Sequence, residues 1–275
     1  MVPPDPVPDI PARPIQLAAL LGAAVRTGFA RLGSLFWVLG TALGTALRLR
    51  GERLRVVLEV TRQQIRFTAL DALPLCVVMA LLLGAITLLQ AFGQLSGYAA
   101  ERTLSRLLAQ LVIRELGPLM VGILVIARSG TAIATELANR KLSGELGALW
   151  ASGVDPFGYV LVPRLLGGVV SVFALVVVFD AVALLGGFLV ASLRLPLSFS
   201  AFLEALGAAI GPRELAATFG KSLVFGAGIP LLCAFWGVRV RRSTTEIPQA
   251  VTRAAVGSLL VLVLAGALLS FVIYG

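Results

Sequence analysis

The chain of 275 residues is far more apolar than a soluble domain: 58% of its residues are hydrophobic and 13% are charged, against about 25% charged residues in soluble proteins. It contains no histidine, which excludes the catalytic triads and zinc sites that need that side chain. Its two cysteines lie inside apolar runs and indicate neither a disulfide framework nor a metal cluster. The net charge of +9 comes from basic residues clustered between apolar runs, a distribution that favours a membrane protein over a nucleic-acid-binding one. We predict an all-α integral membrane protein without catalytic residues, metal or cofactor.

The first 71 residues carry arginine clusters but no long apolar run. Residues 1–14 are proline-rich and lack the pattern of a signal peptide, so we expect a disordered cytosolic tail. The apolar stretch 32–47 is short and has arginines on both sides. Because a spanning helix there would place one arginine cluster outside, residues 15–71 are predicted to form interfacial, elbow and amphipathic helices.

Five segments in residues 72–275 are long enough to cross a bilayer as helices, which needs about 20 mostly apolar residues. The second is the least obvious, because the uncharged run 116–127 is short and must be extended back through Arg114 and Glu115. That extension places an Arg-Glu pair near the middle of the membrane. The predicted spans are 72–92, 106–127, 165–193, 215–238 and 254–275.

The distribution of basic residues predicts the orientation of these spans. With a cytosolic N-terminus, 17 of the 23 basic residues fall inside and four fall outside. The positive-inside rule favours this arrangement. We therefore expect an extracytoplasmic C-terminus.

The loop between the second and third spans predicts an amphipathic helix. Apolar side chains recur at helical spacing, basic and acidic side chains take the other side, and Asp155 with the following proline ends the pattern. Such a helix either docks into a groove on a partner protein or rests on lipid headgroups. The residues assigned to this surface are Arg140, Lys141, Leu142, Glu145, Leu146, Leu149, Trp150 and Asp155.

Four charged residues fall inside or beside the predicted spans: Arg114, Glu115, Asp180 and Lys221. A charge at the centre of a bilayer costs about 2.5–3.5 kcal/mol on insertion scales, so such groups face a cavity or one another. Glu115 with Lys221, or Asp180 with Arg114, could pair across helices. The pairs are either buried structural contacts or part of a path for substrate or ions.

One apparent nucleotide motif is rejected. The triplet Gly220-Lys221-Ser222 resembles the end of a phosphate-binding loop, but that motif needs a glycine at position 215, which is leucine. Any ATP-driven work therefore requires another subunit.

Several ordered motifs resemble one family. They are IRELGP at 113–118, ARSGTAIATEL at 127–137, GVDP at 153–156, VPR at 162–164, KSLVF at 221–225 and AVTRA at 250–254. At matching spacing these resemble the signature of the MlaE (YrbE) permeases, the membrane subunits of ABC transporters that move lipids together with MCE-domain proteins. The resemblance covers residues from about 54 to the C-terminus.

The resemblance implies a homodimer of five-span protomers, an elbow helix, and a coupling helix that docks a separate ATPase. It also implies that Arg114, Glu115 and Lys221 lie near the lipid cavity, whereas Asp180 rests on the burial argument alone. We expect an inner-membrane lipid permease. The alternatives are an ion-coupled transporter or channel that uses Glu115, Asp180 and Lys221, and an intramembrane enzyme, for which no catalytic constellation is present.

Overall fold

The computed structural model describes residue 44 and residues 52–92, 109–194, 199–241 and 243–274, and this part of the chain contains helices and no strand. The helices are α1 (Glu52–Thr68), α2 (Leu73–Phe92), α3 (109–142), α4 (Glu145–Ala151), α5 (Val162–Arg194), α6 (Phe199–Ala209), α7 (Pro212–Gly237) and α8 (Ile247–Tyr274). The all-helical prediction is confirmed for the described residues.

Helix α3 is continuous but changes its hydrogen-bonding pattern twice. It runs through π-helical Ala109–Leu116, α-helical Gly117–Val125, π-helical Ile126–Gly130 and α-helical Thr131–Leu142. Short π-helical segments widen the turn by one residue and often occur at functional sites. The first segment contains Arg114 and Glu115, so both predicted charges lie on an irregular stretch of backbone.

Four helical stretches in the described residues are long and apolar enough to cross a membrane: Arg55–Thr87, Gly158–Val190, Pro212–Gly237 and Thr244–Tyr274. They correspond to the first, third, fourth and fifth predicted spans. The second predicted span, 106–127, is helical from Ala109 onward within α3, but α3 is not among the four. The count of five spans therefore stays a prediction.

The first of these stretches begins within the region predicted as interfacial. Helix α1 continues through one turn of 3₁₀-helix at Leu70–Ala72 into α2, so the helix that carries the first span begins well before residue 72, with charged side chains along α1 and an apolar sequence in α2. The predicted tail 1–14 and most of the apolar stretch 32–47 lie outside the described residues. The elbow helix likewise stays a prediction.

Helices α5 and α7 form the interior of the bundle, and glycines allow close contact between helices there. A Cβ atom at Gly84 of α2 would overlap the backbone of Ala183 on α5, and one at Gly168 of α5 would overlap the backbone of Gly226 on α7. Close backbone approach through small residues is the usual way in which membrane helices pack. The outer face of α8 instead exposes large apolar side chains, including Val256, Leu260, Leu264, Leu268 and Phe271.

Candidate functional site

Glu115 of α3 and Lys221 of α7 form an ion pair. The ammonium nitrogen Nζ of Lys221 lies 2.8 Å from Oε2 of Glu115 and also donates to the carbonyl oxygen of Arg114 at 2.6 Å. The two side chains differ in burial, because Lys221 is 1% exposed and Glu115 is 43% exposed. Of the two pairings that the sequence left open, the structure thus forms the first. Lys221 is the enclosed partner, and Glu115 faces open space.

Helix α8 completes the charged cluster, which we call the α3–α8 cluster: Arg114, Glu115, Lys221, Ser270 and Tyr274. The hydroxyl of Ser270 donates to Oε1 of Glu115 at 2.7 Å. The guanidinium of Arg114 lies 3.4 Å from that same oxygen and stacks over the ring of Tyr274. The carboxylate of Glu115 therefore receives a contact from each of three helices.

Sequence reasoning missed Ser270 and Tyr274. Both lie in an apolar helix, and a lone serine or tyrosine carries no charge that would mark it as costly in a membrane. The sequence did offer one signal for Tyr274, because a tyrosine near a helix end suits the membrane interface. Both residues lie among the last five residues of α8, so the α3–α8 cluster lies near one end of that helix. The expected position near the middle of the membrane stays a prediction.

Asp180 does not join the cluster. It lies on α5, is 7% exposed, and its Oδ1 has no hydrogen-bond partner among the described residues. Its carboxylate packs against Gly117 of α3, where a Cβ atom would overlap it. Arg114 pairs with Glu115 instead, and no ion pair joins it to Asp180 in the described part of the chain. The pairing of Asp180 with Arg114 is therefore not formed.

The amphipathic helix expected over 142–150 is interrupted. Helix α3 ends at Leu142, Gly144 adopts a left-handed backbone with φ of 79°, and α4 begins at Glu145. Left-handed backbone is readily available to glycine, so this residue separates the two helices. Leu142 packs against a buried cluster of Ala138, Val240 and Ala250. This contact supports the fold of the chain itself, while the side chain stays partly exposed, as those of Leu146 and Leu149 do.

Helix α4 presents the remaining apolar residues of the predicted coupling surface. Trp150 is 62% exposed, and Leu146 and Leu149 are half-buried. A large exposed aromatic side chain on a short helix is typical of a docking surface. We call Leu146, Leu149 and Trp150 the α4 surface.

The polar residues of the predicted surface have different positions. Lys141 is exposed, and Arg140 is ion-paired to Glu145 at 3.6 Å. Asp155 begins the next helix, because its Oδ2 accepts from the backbone N–H of Gly158 at 3.1 Å and Pro156 follows it. An aspartate before a proline is a common start of a helix. Asp155 thus follows the end of α4, as predicted, and also holds the backbone that leads into α5.

Glu136 connects the end of α3 to the start of α5. Its carboxylate oxygens lie 2.9 Å from Nη2 of Arg140 and 2.7 Å from Nη2 of Arg164. Arg140 also pairs with Glu145 of α4, so ion pairs join three helices in series. The sequence contained Glu136 and Arg164 within motifs of the resembled family, but it did not assign them to the site.

Comparison with known proteins finds a family model and several relatives that match most of the chain. The family described as Permease MlaE matches residues 61–272 of the chain. A probable ABC transporter permease protein of Rickettsia prowazekii is 26% identical over 208 residues, which are 76% of this chain and 80% of the relative. The intermembrane phospholipid transport system permease protein MlaE of Haemophilus influenzae is 26% identical over 263 residues, or 95% of this chain and 98% of the relative. The chloroplastic protein TRIGALACTOSYLDIACYLGLYCEROL 1 of Arabidopsis thaliana is 26% identical over 210 residues, which are 76% of this chain and 60% of the relative.

Proposed function

The chain belongs to the MlaE permease family, and from this premise we propose that it is the membrane subunit of an ABC transporter for phospholipid or a related lipid. The H. influenzae relative is named a phospholipid transport permease, which supports this cargo. The chain performs no covalent chemistry in this proposal. A separate ATPase drives it, an MCE-domain protein exchanges lipid with it, and two copies form a homodimer. Lipid moves across or out of the cytoplasmic (inner) membrane.

The observation that carries this proposal is the unequal burial of the Glu115–Lys221 pair. A purely structural pair would enclose both partners, because each exposed charge in a membrane is costly. Here Lys221 is enclosed, whereas Glu115 and Arg114 keep 43% and 30% of their side chains exposed. We infer that Arg114 and Glu115 face the lipid path and that Lys221 holds Glu115 in place from behind. A zwitterionic or anionic headgroup would meet one positive and one negative group there.

The α4 surface is the proposed docking site of the ATPase. Its exposed Trp150 lies next to the half-buried Leu146 and Leu149. The ion pairs of Glu145 with Arg140, and of Arg140 with Glu136, connect α4 to α3. A displacement of α4 by the ATPase would therefore be transmitted to α3, which carries Arg114 and Glu115 further along its length.

The proposed topology places α4 on the cytosolic side. The N-terminus is then cytosolic and the C-terminus extracytoplasmic, as the bias of basic residues favours. The tail 1–14, the interfacial region 15–71 and the five-span domain 72–275 are the proposed divisions of the chain. In this topology the α3–α8 cluster lies toward the extracytoplasmic side, where an MCE-domain protein would receive or deliver lipid.

The experiment that tests the function is reconstitution of the chain with its ATPase in liposomes that contain a fluorescent phospholipid. We expect lipid movement that needs ATP hydrolysis and stops when ATP is replaced by a non-hydrolysable analogue. The alternative is an ion-coupled transporter or channel that uses Glu115, Asp180 and Lys221. Movement driven by an ion gradient without ATP would favour that alternative and contradict the proposal.

A further inference from the structure

The carboxyl of Asp180 is a buried acidic group that the α3–α8 cluster does not use. It lies on α5, within the stretch Gly158–Val190 that is long and apolar enough to cross a membrane, and the residue is 7% exposed. The carboxyl fills the space that a Cβ atom would need at Gly117 of α3, and the backbone of Ala183, one turn later, fills the same space at Gly84 of α2. This turn of α5 is therefore packed against both α2 and α3 through glycines.

The Asp180 carboxyl makes no polar contact that would stabilise a negative charge. Its Oδ1 is fully enclosed and has no hydrogen-bond partner. No ion pair or hydrogen bond joins its side chain to another residue in the part of the chain that the structure describes. A carboxylate enclosed in an apolar interior without a partner is costly, so such a group takes up a proton and becomes neutral. The packing therefore favours the neutral acid, which needs no counter-ion.

The charged groups on the neighbouring helices do not compensate Asp180. Arg114 of α3 and Lys221 of α7 both pair with Glu115. Helix α2 has no charged residue, and the thiol of its Cys76 donates to a backbone carbonyl of α5 at 3.7 Å. Charged groups toward the helix ends have other contacts or are exposed: Arg128 pairs with Asp71, Arg164 pairs with Glu136, Glu214 accepts from the backbone N–H of Gly211, and Glu204 and Arg213 are exposed. Asp180 thus has no counter-ion among the described residues.

The contact at Gly117 adjoins the irregular part of α3. Gly117 is the first residue of the α-helical segment Gly117–Val125, and it directly follows the π-helical segment Ala109–Leu116, which holds Arg114 and Glu115. Loss of the proton would leave a carboxylate against Gly117, and a carboxylate needs water or a cation that the closed packing excludes. The contact between α3 and α5 therefore favours the protonated carboxyl, and by the same coupling protonation favours the closed contact.

We propose that Asp180 is a proton-binding site whose occupancy is coupled to the contact between α3 and α5 at Gly117. The carboxyl carries a proton at neutral pH while the contact is closed. When the contact opens, the O–H bond breaks, the proton passes to water and a carboxylate remains; closing reverses the step. The proton is bound and is not carried across the membrane, so the site differs from the ion path of the alternative function. The proposal does not depend on lipid movement.

Infrared spectroscopy of the full chain in an ester-free detergent at neutral pH tests this proposal, because a protonated carboxyl has a C=O stretching band that a carboxylate lacks. We expect such a band, and we expect it to be absent in Asp180→Asn, which keeps a neutral side chain of the same shape. The matched control Glu115→Gln removes a carboxyl of the α3–α8 cluster and should leave the band. A chain without the band, or one whose band is lost in Glu115→Gln and kept in Asp180→Asn, would overturn the site.

The replacement Gly117→Ala tests the coupling to the helix contact. Its Cβ atom would overlap the carboxyl, so we expect the contact to open and the band to fall to about half or less, although Asp180 is still present. The matched control Gly228→Ala on α7 adds a Cβ atom that meets nothing within 4 Å and should leave the band unchanged. A full band in the folded Gly117→Ala variant would contradict the coupling.

Aspartate labelled with ¹³C at its side-chain carboxyl keeps the test informative if Asp180→Asn does not fold. The label shifts the band of a protonated aspartic acid in the unchanged chain and leaves that of a glutamic acid in place. We expect the shift, and a band that does not shift would overturn the assignment to Asp180. Because these measurements need neither ATP nor lipid transport, a failure here is distinguishable from a failure of the proposed function.

Discussion

Pro118 and Lys221 lie on different helices, yet both determine how one backbone group, the carbonyl of Arg114, is hydrogen-bonded. In an α-helix that carbonyl would accept from the N–H of residue 118, which proline lacks. Lys221 supplies the missing donor at 2.6 Å. In the π-helical pattern of Ala109–Leu116, the carbonyl of Ile113 also faces residue 118, and Thr218 donates to it at 3.2 Å. Pro118 therefore leaves two carbonyl oxygens without a backbone donor, and two side chains on one face of α7 donate to them.

This relationship predicts coupling between Pro118 and Thr218. The replacement Thr218→Val leaves the carbonyl of Ile113 without its donor and should lower the free energy of unfolding by about 1–3 kcal/mol. In a Pro118→Ala background an ordinary α-helical register can satisfy both carbonyls, so the same replacement should cost less. Thermal unfolding of the single and double variants in detergent measures this coupling. Equal costs in the two backgrounds would contradict it.

The unequal burial of the Glu115–Lys221 pair predicts unequal effects of breaking it. Glu115→Leu strands the enclosed Lys221 and should cost about 3–5 kcal/mol. Lys221→Met should cost less, because Glu115 keeps Ser270 and Arg114 as partners. The unfolding temperatures of the two variants measure these costs, and Lys141→Met at an exposed position is the control. A larger loss in Lys221→Met would contradict the assignment of Lys221 as the enclosed partner.

Replacing both members of the pair separates structure from transport. The double variant Glu115→Leu with Lys221→Met removes both charges and should fold, because no uncompensated charge of the pair remains. We expect it to keep its ATPase but to lose lipid movement, since a headgroup in the path no longer meets Glu115. Reconstituted lipid transport measures this outcome. Normal transport by the folded double variant would contradict this expectation and show that the pair is only a structural contact.

The α4 surface predicts a specific loss of ATPase binding. Replacing Leu146 and Trp150 by alanine removes two candidate hot-spot contacts, each worth about 2 kcal/mol or more. We expect the ATPase to dissociate while the chain still inserts and stays folded. Leu142→Ala is the matched control: because Leu142 packs against Ala138, Val240 and Ala250, this replacement should lower stability more than it weakens ATPase binding. Unchanged co-purification of the ATPase with the double variant would contradict the docking role.

The proposed topology predicts which loops react with a membrane-impermeant thiol reagent in intact cells. Cys76 and Cys233 are buried and should give little background labelling. Glu204→Cys, exposed on α6, should be labelled, whereas Thr244→Cys, exposed before α8, should be protected until the cells are opened. The reverse labelling pattern would contradict the proposed topology and indicate the opposite orientation.

The amino-acid sequence by itself determined that the chain is helical and embedded in a membrane, because long apolar runs leave a helix as the structure that satisfies every backbone group in lipid. The third, fourth and fifth predicted spans overlap helices α5, α7 and α8, and α8 begins earlier than the span predicted there. The sequence also marked Arg114, Glu115 and Lys221, since a charge in an apolar run is costly wherever the chain folds. Its motifs were enough to recognise the family.

Only the tertiary structure decided the partners of these charges. Hydropathy assigns a cost to each charge but gives no distance between helices, so it could not choose between Lys221 and Asp180 as members of a pair. Ser270 and Tyr274 carry no such cost, and their role follows from the packing of α8 against α3. The break at Gly144 depends on a backbone conformation that apolar periodicity does not encode. Leu142 thereby packs against Ala138, Val240 and Ala250, whereas Trp150, eight positions later, is exposed.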